Sequence, residues 1–287
     1  MLMDHIGEFF PDSPIWFQWL GRLAAPLFFY ALAVGFQHTR NRKKYLLRLY
    51  LANVGMVFFN QIMCMLQRKL DYVAYQPKNH NIFTTLFCAG VLICIWENRK
   101  EKKKFFTYIG IYIFWQAMVM GLAILAEAFD YVWRGNALLQ TVLRTNYIFP
   151  LLGGIWDAEG GVFFIALGIW LYCAVEKKGK LALHYILFCG AYMFMCQGDI
   201  LYRIMSRFSF WGYHKLADVI YFGSSFVGIP LGTSDLSLLT EFYQWMMIGA
   251  LPIMLACNGK RGKSFKWLFY AAYPLQFLVL YGISYYK

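Results

Sequence analysis

The chain has 287 residues, of which 60% are hydrophobic, 20% are aromatic and only 15% are charged. A soluble domain carries about 45–50% apolar and about 25% charged residues, so this composition excludes an ordinary soluble protein and indicates that much of the chain lies in lipid. The net charge of +12 would suit a nucleic-acid partner, but the basic residues lie in short clusters between apolar runs and form no continuous stripe. We therefore predict a membrane protein with no nucleic-acid partner.

Eight apolar runs have roughly the length of a membrane-spanning helix, which is about 20 residues. They are continuously apolar and lack the alternation of polar and apolar residues that is typical of barrel strands, so they predict helices. The run at 161–175 is the shortest. In chain order the runs cover residues 16–37, 45–66, 81–97, 105–127, 161–175, 181–201, 236–257 and 265–286.

Ahead of these runs, the apolar residues Met1-Leu2-Met3 lead directly into Asp4-His5, as the last part of a helix would. We expect a truncated first segment there, which gives an all-α, polytopic transmembrane bundle of about nine membrane segments. No change of composition marks a second domain, so residues 1–287 are expected to form one membrane-embedded domain.

The loops predict the orientation of the bundle. Clusters of Lys and Arg follow the first, third, fifth and seventh of the eight runs, and the positive-inside rule places those loops in the cytoplasm. The N-terminal stub then ends outside. Two external connections, at 128–160 and 202–235, are long and rich in aromatic residues, so we expect them to fold back onto the outer membrane face as re-entrant or interfacial helices.

Two charges approach each other within the predicted membrane. Arg22 lies inside its helix, where a charge costs about 2.5–3.5 kcal/mol on insertion scales, and Asp4 precedes it on the neighbouring segment. An ion pair between them would lock two helices together, and that structural interpretation is sufficient by itself. A second interpretation adds His5, whose imidazole exchanges protons near neutral pH and could act as a general base that the neighbouring Asp4 carboxylate orients.

A dense basic segment follows the first complete helix. Cationic groups on a short loop between helices suit the phosphates of a nucleotide-like donor, although positive-inside bias or contact with anionic lipid also accounts for them. The seven cysteines lie in or beside apolar runs and form no C-x-x-C pair, so we predict no metal site. The basic residues of the segment are His38, Arg40, Arg42, Lys43 and Lys44.

Several short motifs together resemble the TraX family, which is named for a protein that acetylates the N-terminus of conjugative pilin. The N-terminal elements recur in order and spacing. Gln276 stands where members of the family often carry histidine, which leaves His5 as the main candidate for a catalytic base. The matching elements are Asp4-His5-Ile6-Gly7, Gly21-Arg22 with Pro26, residues 35–45, residues 81–86, residues 258–262 and Tyr273-Pro274-Leu275.

The resemblance implies a multi-pass protein of the bacterial inner membrane that transfers an acetyl or other acyl group from cytoplasmic acyl-coenzyme A. The acceptor would be an amine or hydroxyl on the outer side, on a peptide or pilin N-terminus or an envelope glycan. His5 and Asp4 would belong to the reaction centre, with Arg22 supporting it. The basic segment, with Lys260 and Arg261, would meet the phosphates of acetyl-coenzyme A.

Two other functions stay open at this point. The intramembrane charges would also suit a transporter or flippase for a lipid-linked or anionic solute, although no inverted repeat is visible in the sequence. A non-catalytic scaffold for envelope assembly, in contact with membrane lipid, is the third interpretation.

Overall fold

The computed structural model describes residues 1–10, 12–69, 81–132, 145–156, 158–197, 203, 207, 213–230, 236–258 and 266–285. Within those residues every regular element is helical, which confirms the predicted all-α class. Short 3-10 turns cover Asn98–Lys100 and Gln244–Gly249. The α-helices are α1 Leu2–Phe9, α2 Trp16–Gly21, α3 Ala24–His38, α4 Arg42–Lys69, α5 Ile82–Glu97, α6 Lys102–Val132, α7 Thr145–Leu151, α8 Gly161–Ala174, α9 Lys178–Gln197, α10 Tyr213–Val227, α11 Ala250–Ala256 and α12 Lys266–Tyr285.

Each of the eight predicted runs contains helix in the described part of the chain, but the run at 16–37 is divided between α2 and α3, and the run at 236–257 is helical only from Gln244 onward. In the described part of the chain, two apolar helical stretches, Gly161–Ala174 and Gln244–Ala256, are shorter than a membrane span. The count of about nine segments and the orientation of the termini stay predictions. Five helical stretches are long and apolar enough to cross a membrane: Trp16–His38, Arg42–Leu66, Ile82–Lys100, Lys102–Ala126 and Lys178–Gln197.

The surface of α6 shows why lipid is the expected surroundings. Phe106, Ile111, Ile113 and Phe114 are all exposed on this helix. In water such a surface would be unfavourable, because each square ångström of apolar area costs about 25 cal/mol when it is left in contact with water. Facing acyl chains, the same side chains carry no such cost.

The chain divides into two compact units. The first unit comprises Met1–Gln37 and Trp170–Lys287. In it, α1 packs against α2 and α12, and α9 packs against the stretch Gln244–Ala256. The hydroxyl of the fully buried Tyr185 on α9 donates to the Met247 carbonyl at 2.6 Å, which fastens that stretch to the unit.

The second unit comprises His38–Ile169, and its core contains a polar cluster around Asn53. Asn53 on α4 is fully buried, and its amide donates to the Pro150 carbonyl at 2.6 Å. Its Oδ1 accepts hydrogen bonds from Asn81 Nδ2 and Thr84 Oγ1, both at 2.7 Å. One buried side chain therefore joins α4, the start of α5 and α7.

Directly after α7 the backbone turns out of helical geometry at Gly153, which has φ +66°. Side chains satisfy the carbonyl groups that this turn exposes: Tyr50 Oη donates to Leu151 O at 2.7 Å, and Gln116 Nε2 donates to Gly153 O at 3.2 Å. Irregular backbone is tolerated at membrane depth only where protein or water satisfies it. The described part of the connection at 128–160 thus contains a short helix and a turn, and side chains of α4 and α6 donate hydrogen bonds to their carbonyl groups.

The second long connection contains α10. Most of the other residues between 198 and 235 lie outside the described part of the chain, as do residues 133–144 of the first connection. The predicted placement of both connections on the outer membrane face stays a prediction.

Candidate active site

Two glycines allow α1 and α2 to approach each other closely. A Cβ atom at position 7 would lie 2.6 Å from Gln18 Cγ, and one at position 21 would lie 2.6 Å from Asp4 Cγ. Gln18 also donates to the Gly7 carbonyl at 3.3 Å. Small residues at such contacts are how membrane helices bring their backbones together. Through this contact Asp4 lies against Gly21, the last residue of α2, and therefore next to Arg22.

Arg22 is held by three groups of the first unit. Its Nη2 donates to the carboxylate of Asp4, and the two side chains are 27% and 24% exposed. Its Nη1 donates to Gln244 Oε1 at 3.0 Å, and the guanidinium lies 5.6 Å from the centre of the Tyr243 ring. The ion pair that the sequence predicted is therefore present, and a neutral amide and an aromatic ring also contact the cation.

His5 lies one residue beyond Asp4, and it is only 4% exposed. Its Nδ1 is 3.7 Å from Glu8 Oε2, one helical turn further along α1. The imidazole ring also packs against α12, at 4.3 Å between ring centres for Phe277 and 6.3 Å for Tyr273. A carboxylate on one side and aromatic rings on another fix the orientation of a buried imidazole.

This arrangement has the parts that proton transfer requires. If the Glu8 carboxylate faces Nδ1, then Nδ1 carries the proton and Nε2 is left as the basic nitrogen. The distance of 3.7 Å is longer than a hydrogen bond, and catalytic contacts commonly shorten when the substrate is bound. Asp4 is the partner of Arg22, as predicted, and its expected second role as the group that orients His5 stays a prediction.

The predicted donor-binding residues lie in the second unit, at the start of α4. Asn41 caps this helix by accepting from Lys44 N at 3.0 Å. Arg42 donates to Glu97 Oε1 at 2.9 Å and to the Thr39 carbonyl at 2.8 Å, so it fastens α4 to the end of α5. The remaining basic side chains of the segment, His38, Arg40, Lys43 and Lys44, are exposed.

Charge at this helix start favours an anion. The N-terminus of an α-helix carries a partial positive charge, so Lys43 and Lys44 in the first turn of α4 add to it rather than offset it. Backbone N–H groups and cations together form the usual environment of a bound phosphate. Lys260 and Arg261, the other predicted donor-binding residues, lie outside the described residues.

The helices and the buried site together define a membrane protein with transmembrane helices. A family model described as TraX protein matches residues 1–195, which include the predicted catalytic residues and the basic segment. The chain therefore belongs to the TraX family, as its N-terminal motifs indicated. The motifs at 258–262 and 273–275 lie outside the matched residues. No curated protein and no solved structure matches the chain.

Three residues of the site, Glu8, Gln244 and Tyr243, were not predicted from the sequence. Glu8 is three residues after His5 and therefore shares its face of α1, a spacing that was available in the sequence. Gln244 and Tyr243 are more than 200 residues from Arg22, and no periodicity connects positions so far apart.

Proposed function

We propose that this chain is a membrane-embedded acyltransferase that moves an acetyl or other acyl group from acyl-coenzyme A to an amine or hydroxyl on the outer side of the bacterial inner membrane. The observation that carries the proposal is the buried imidazole of His5, whose Nδ1 lies 3.7 Å from the Glu8 carboxylate. The preceding residue, Asp4, forms an ion pair with Arg22. Membership of the TraX family supports the same chemistry. Acceptors of the expected class are a peptide or pilin N-terminus and an envelope glycan.

In this mechanism His5 Nε2 takes a proton from the acceptor as its nitrogen or oxygen attacks the thioester carbonyl. A bond forms between the acceptor and the acyl carbon, and the carbonyl oxygen becomes negatively charged. When the intermediate collapses, the carbon–sulfur bond breaks and the imidazolium returns the proton to the departing thiolate. The products are the acylated acceptor and free coenzyme A, and His5 ends in its starting state.

Glu8 and Arg22 have separate tasks in this mechanism. The Glu8 carboxylate stabilises the imidazolium that forms during attack, because opposite charges attract strongly in a site with little water. Arg22 holds Asp4 and Gln244, and so keeps α1 in the position that presents His5. We propose that the phosphates of the donor bind the exposed cations of residues 38–44. The N-terminus of α4 adds to the attraction for phosphate through its backbone N–H groups.

Thermal stability with and without acetyl-coenzyme A tests the donor site. A ligand at ten times its Kd stabilises a protein by about 1.4 kcal/mol, which corresponds to roughly 2–3 °C for a chain of this size. The triple variant Arg40→Gln/Lys43→Gln/Lys44→Gln is expected to lose this shift. The matched control is Lys102→Gln/Lys103→Gln/Lys104→Gln, which removes the same charge from another helix start, on α6.

A shift that survives in the first variant and disappears in the control would refute the assignment of the donor site. No shift in the unaltered protein at any donor concentration would favour a transporter or a scaffold, since neither function needs a thioester.

A further inference from the structure

One buried face of α12, which includes the two residues that contact His5, carries a single amide among apolar and aromatic side chains. Tyr273, Gln276, Phe277 and Leu280 follow the spacing of one helix face, and all four are buried. Two of them, Tyr273 and Phe277, contact the ring of His5. Gln276 therefore shares the surface that forms one wall of the imidazole site.

Gln276 is in a costly position for a polar side chain. It is 9% exposed, and its Nε2 has no hydrogen-bond acceptor among the residues that the structure describes. Burying an amide donor without a partner lowers the stability of a protein, and an apolar side chain of the same length would avoid that loss. Such a donor in a native structure calls for an explanation, and a bound ligand atom is one that the neighbouring imidazole suggests.

We propose that Gln276 is a catalytic residue whose Nε2 donates a hydrogen bond to the carbonyl oxygen of the acyl thioester. This inference rests on the proposed acyl transfer and names the group that meets the charge formed in it. As the acceptor attacks and His5 takes its proton, the electron pair of the carbonyl double bond moves to that oxygen. The amide N–H binds the oxyanion until the pair returns and coenzyme A leaves with the proton from His5.

A neutral amide suits this task better than Arg22 does. Two nitrogen atoms of Arg22 already donate to Asp4 and Gln244, so its guanidinium is committed to holding α1. A donor that is already oriented in a site with little water stabilises a developing oxyanion without reorganisation, and removing one such donor lowers kcat by about 100- to 1,000-fold. The Gln276 amide has a donor available, and the residue lies on the same buried face of α12 as Tyr273 and Phe277, which contact His5.

The test replaces Gln276 with methionine, which has a similar length and no donor. With labelled acetyl-coenzyme A and a peptide bearing a free N-terminus, we expect the kcat of Gln276→Met to fall about 100-fold with little change in KM for the donor. The Tm of the variant should stay the same or rise, because the unsatisfied amide is gone. Gln276→Glu, which keeps the shape but places a carboxylate against the oxyanion, should lose activity at least as strongly.

Leu278→Met is the matched control, because it creates the same residue at an exposed position of α12 and should change neither activity nor Tm. Transfer by Gln276→Met at the unaltered rate would overturn this inference alone and leave the proposed function standing. A fall in activity with a lowered Tm in Gln276→Met would also overturn it, since the amide would then be structural. An unaltered protein that transfers no acyl group would overturn the proposed function, and this inference with it.

Discussion

Asp4 reaches the guanidinium of Arg22 through space that the absent side chain of Gly21 leaves open. The carboxyl carbon of Asp4 would lie 2.6 Å from a Cβ atom at position 21. The ion pair and the close contact of α1 with α2 therefore depend on each other. Together they determine the position of α1, and with it the position of His5.

Gly21→Ala should separate Asp4 from Arg22. Inserting a methyl group into a filled contact costs about 1–3 kcal/mol, so a lower Tm in detergent and a loss of acyl transfer are expected together. Gly55→Ala is the control, because among the described residues no atom beyond the neighbouring backbone of α4 lies within 4 Å of the Cβ atom that it adds. That variant should be as stable as the unaltered protein or slightly more stable. Equal behaviour of the two variants would contradict the dependence of the pair on Gly21.

Glu8→Gln tests which carboxylate orients His5. The amide keeps the shape of Glu8 but removes the charge that stabilises the imidazolium, so kcat should fall about 10- to 100-fold with KM for the donor unchanged. Asp4→Asn should act differently, by weakening the hold of Arg22 on α1 and lowering Tm. Steady-state kinetics and thermal unfolding of both variants separate the two roles. If Glu8→Gln is fully active and Asp4→Asn is inactive at unchanged Tm, Asp4 is the orienting group.

Asn53→Ala should destabilise the second unit. The change leaves the Pro150 carbonyl without its Asn53 donor and removes the acceptor that Asn81 and Thr84 share, so a loss of at least about 2 kcal/mol is expected. Thr107→Ala on α6 is the comparison, because it removes one exposed hydrogen bond, to Lys103 O, and should stay within about 0.5 kcal/mol. Reversible unfolding in mixed detergent measures both variants. A loss for Asn53→Ala no larger than that for Thr107→Ala would show that the cluster does not hold α7.

Arg42→Gln separates anchoring from donor binding within the basic segment. Its ion pair with Glu97 is about 30% exposed on both sides, so breaking it should cost about 1 kcal/mol. Because the guanidinium already has protein partners, the stabilisation by acetyl-coenzyme A should persist in this variant. Loss of the ligand effect at unchanged Tm would instead place Arg42 on the phosphates.

The helices of this protein were predictable because their apolar runs are long and continuous. The Asp4–Arg22 pair was predictable as well, since a charge within lipid requires a partner and two antiparallel helices would bring Asp4 to the depth of Arg22. In both cases the signal is local in sequence or follows directly from the cost of burying charge.

The remaining features depend on contacts between distant parts of the chain. The contact of Arg22 with Gln244 joins positions that only the folded unit brings together. The turn at Gly153 is held by side chains of α4 and α6 that bind backbone carbonyls, and the sequence carries no pattern for such acceptors. Gln276 was noted as a departure from the family, but only its burial and its unsatisfied donor indicate a role.

The most direct test of acyl transfer by His5 is transfer across a reconstituted membrane. The purified protein would be placed in vesicles that contain a peptide with a free N-terminus or, in separate vesicles, glucosamine, and labelled acetyl-coenzyme A would be added only outside. We expect labelled acceptor inside with the unaltered protein and at least about 100-fold less with His5→Ala, while thermal stabilisation by acetyl-coenzyme A persists in that variant. Equal labelling by the two proteins would remove His5 from the mechanism, and no labelling of either acceptor by the unaltered protein would contradict acyl transfer itself.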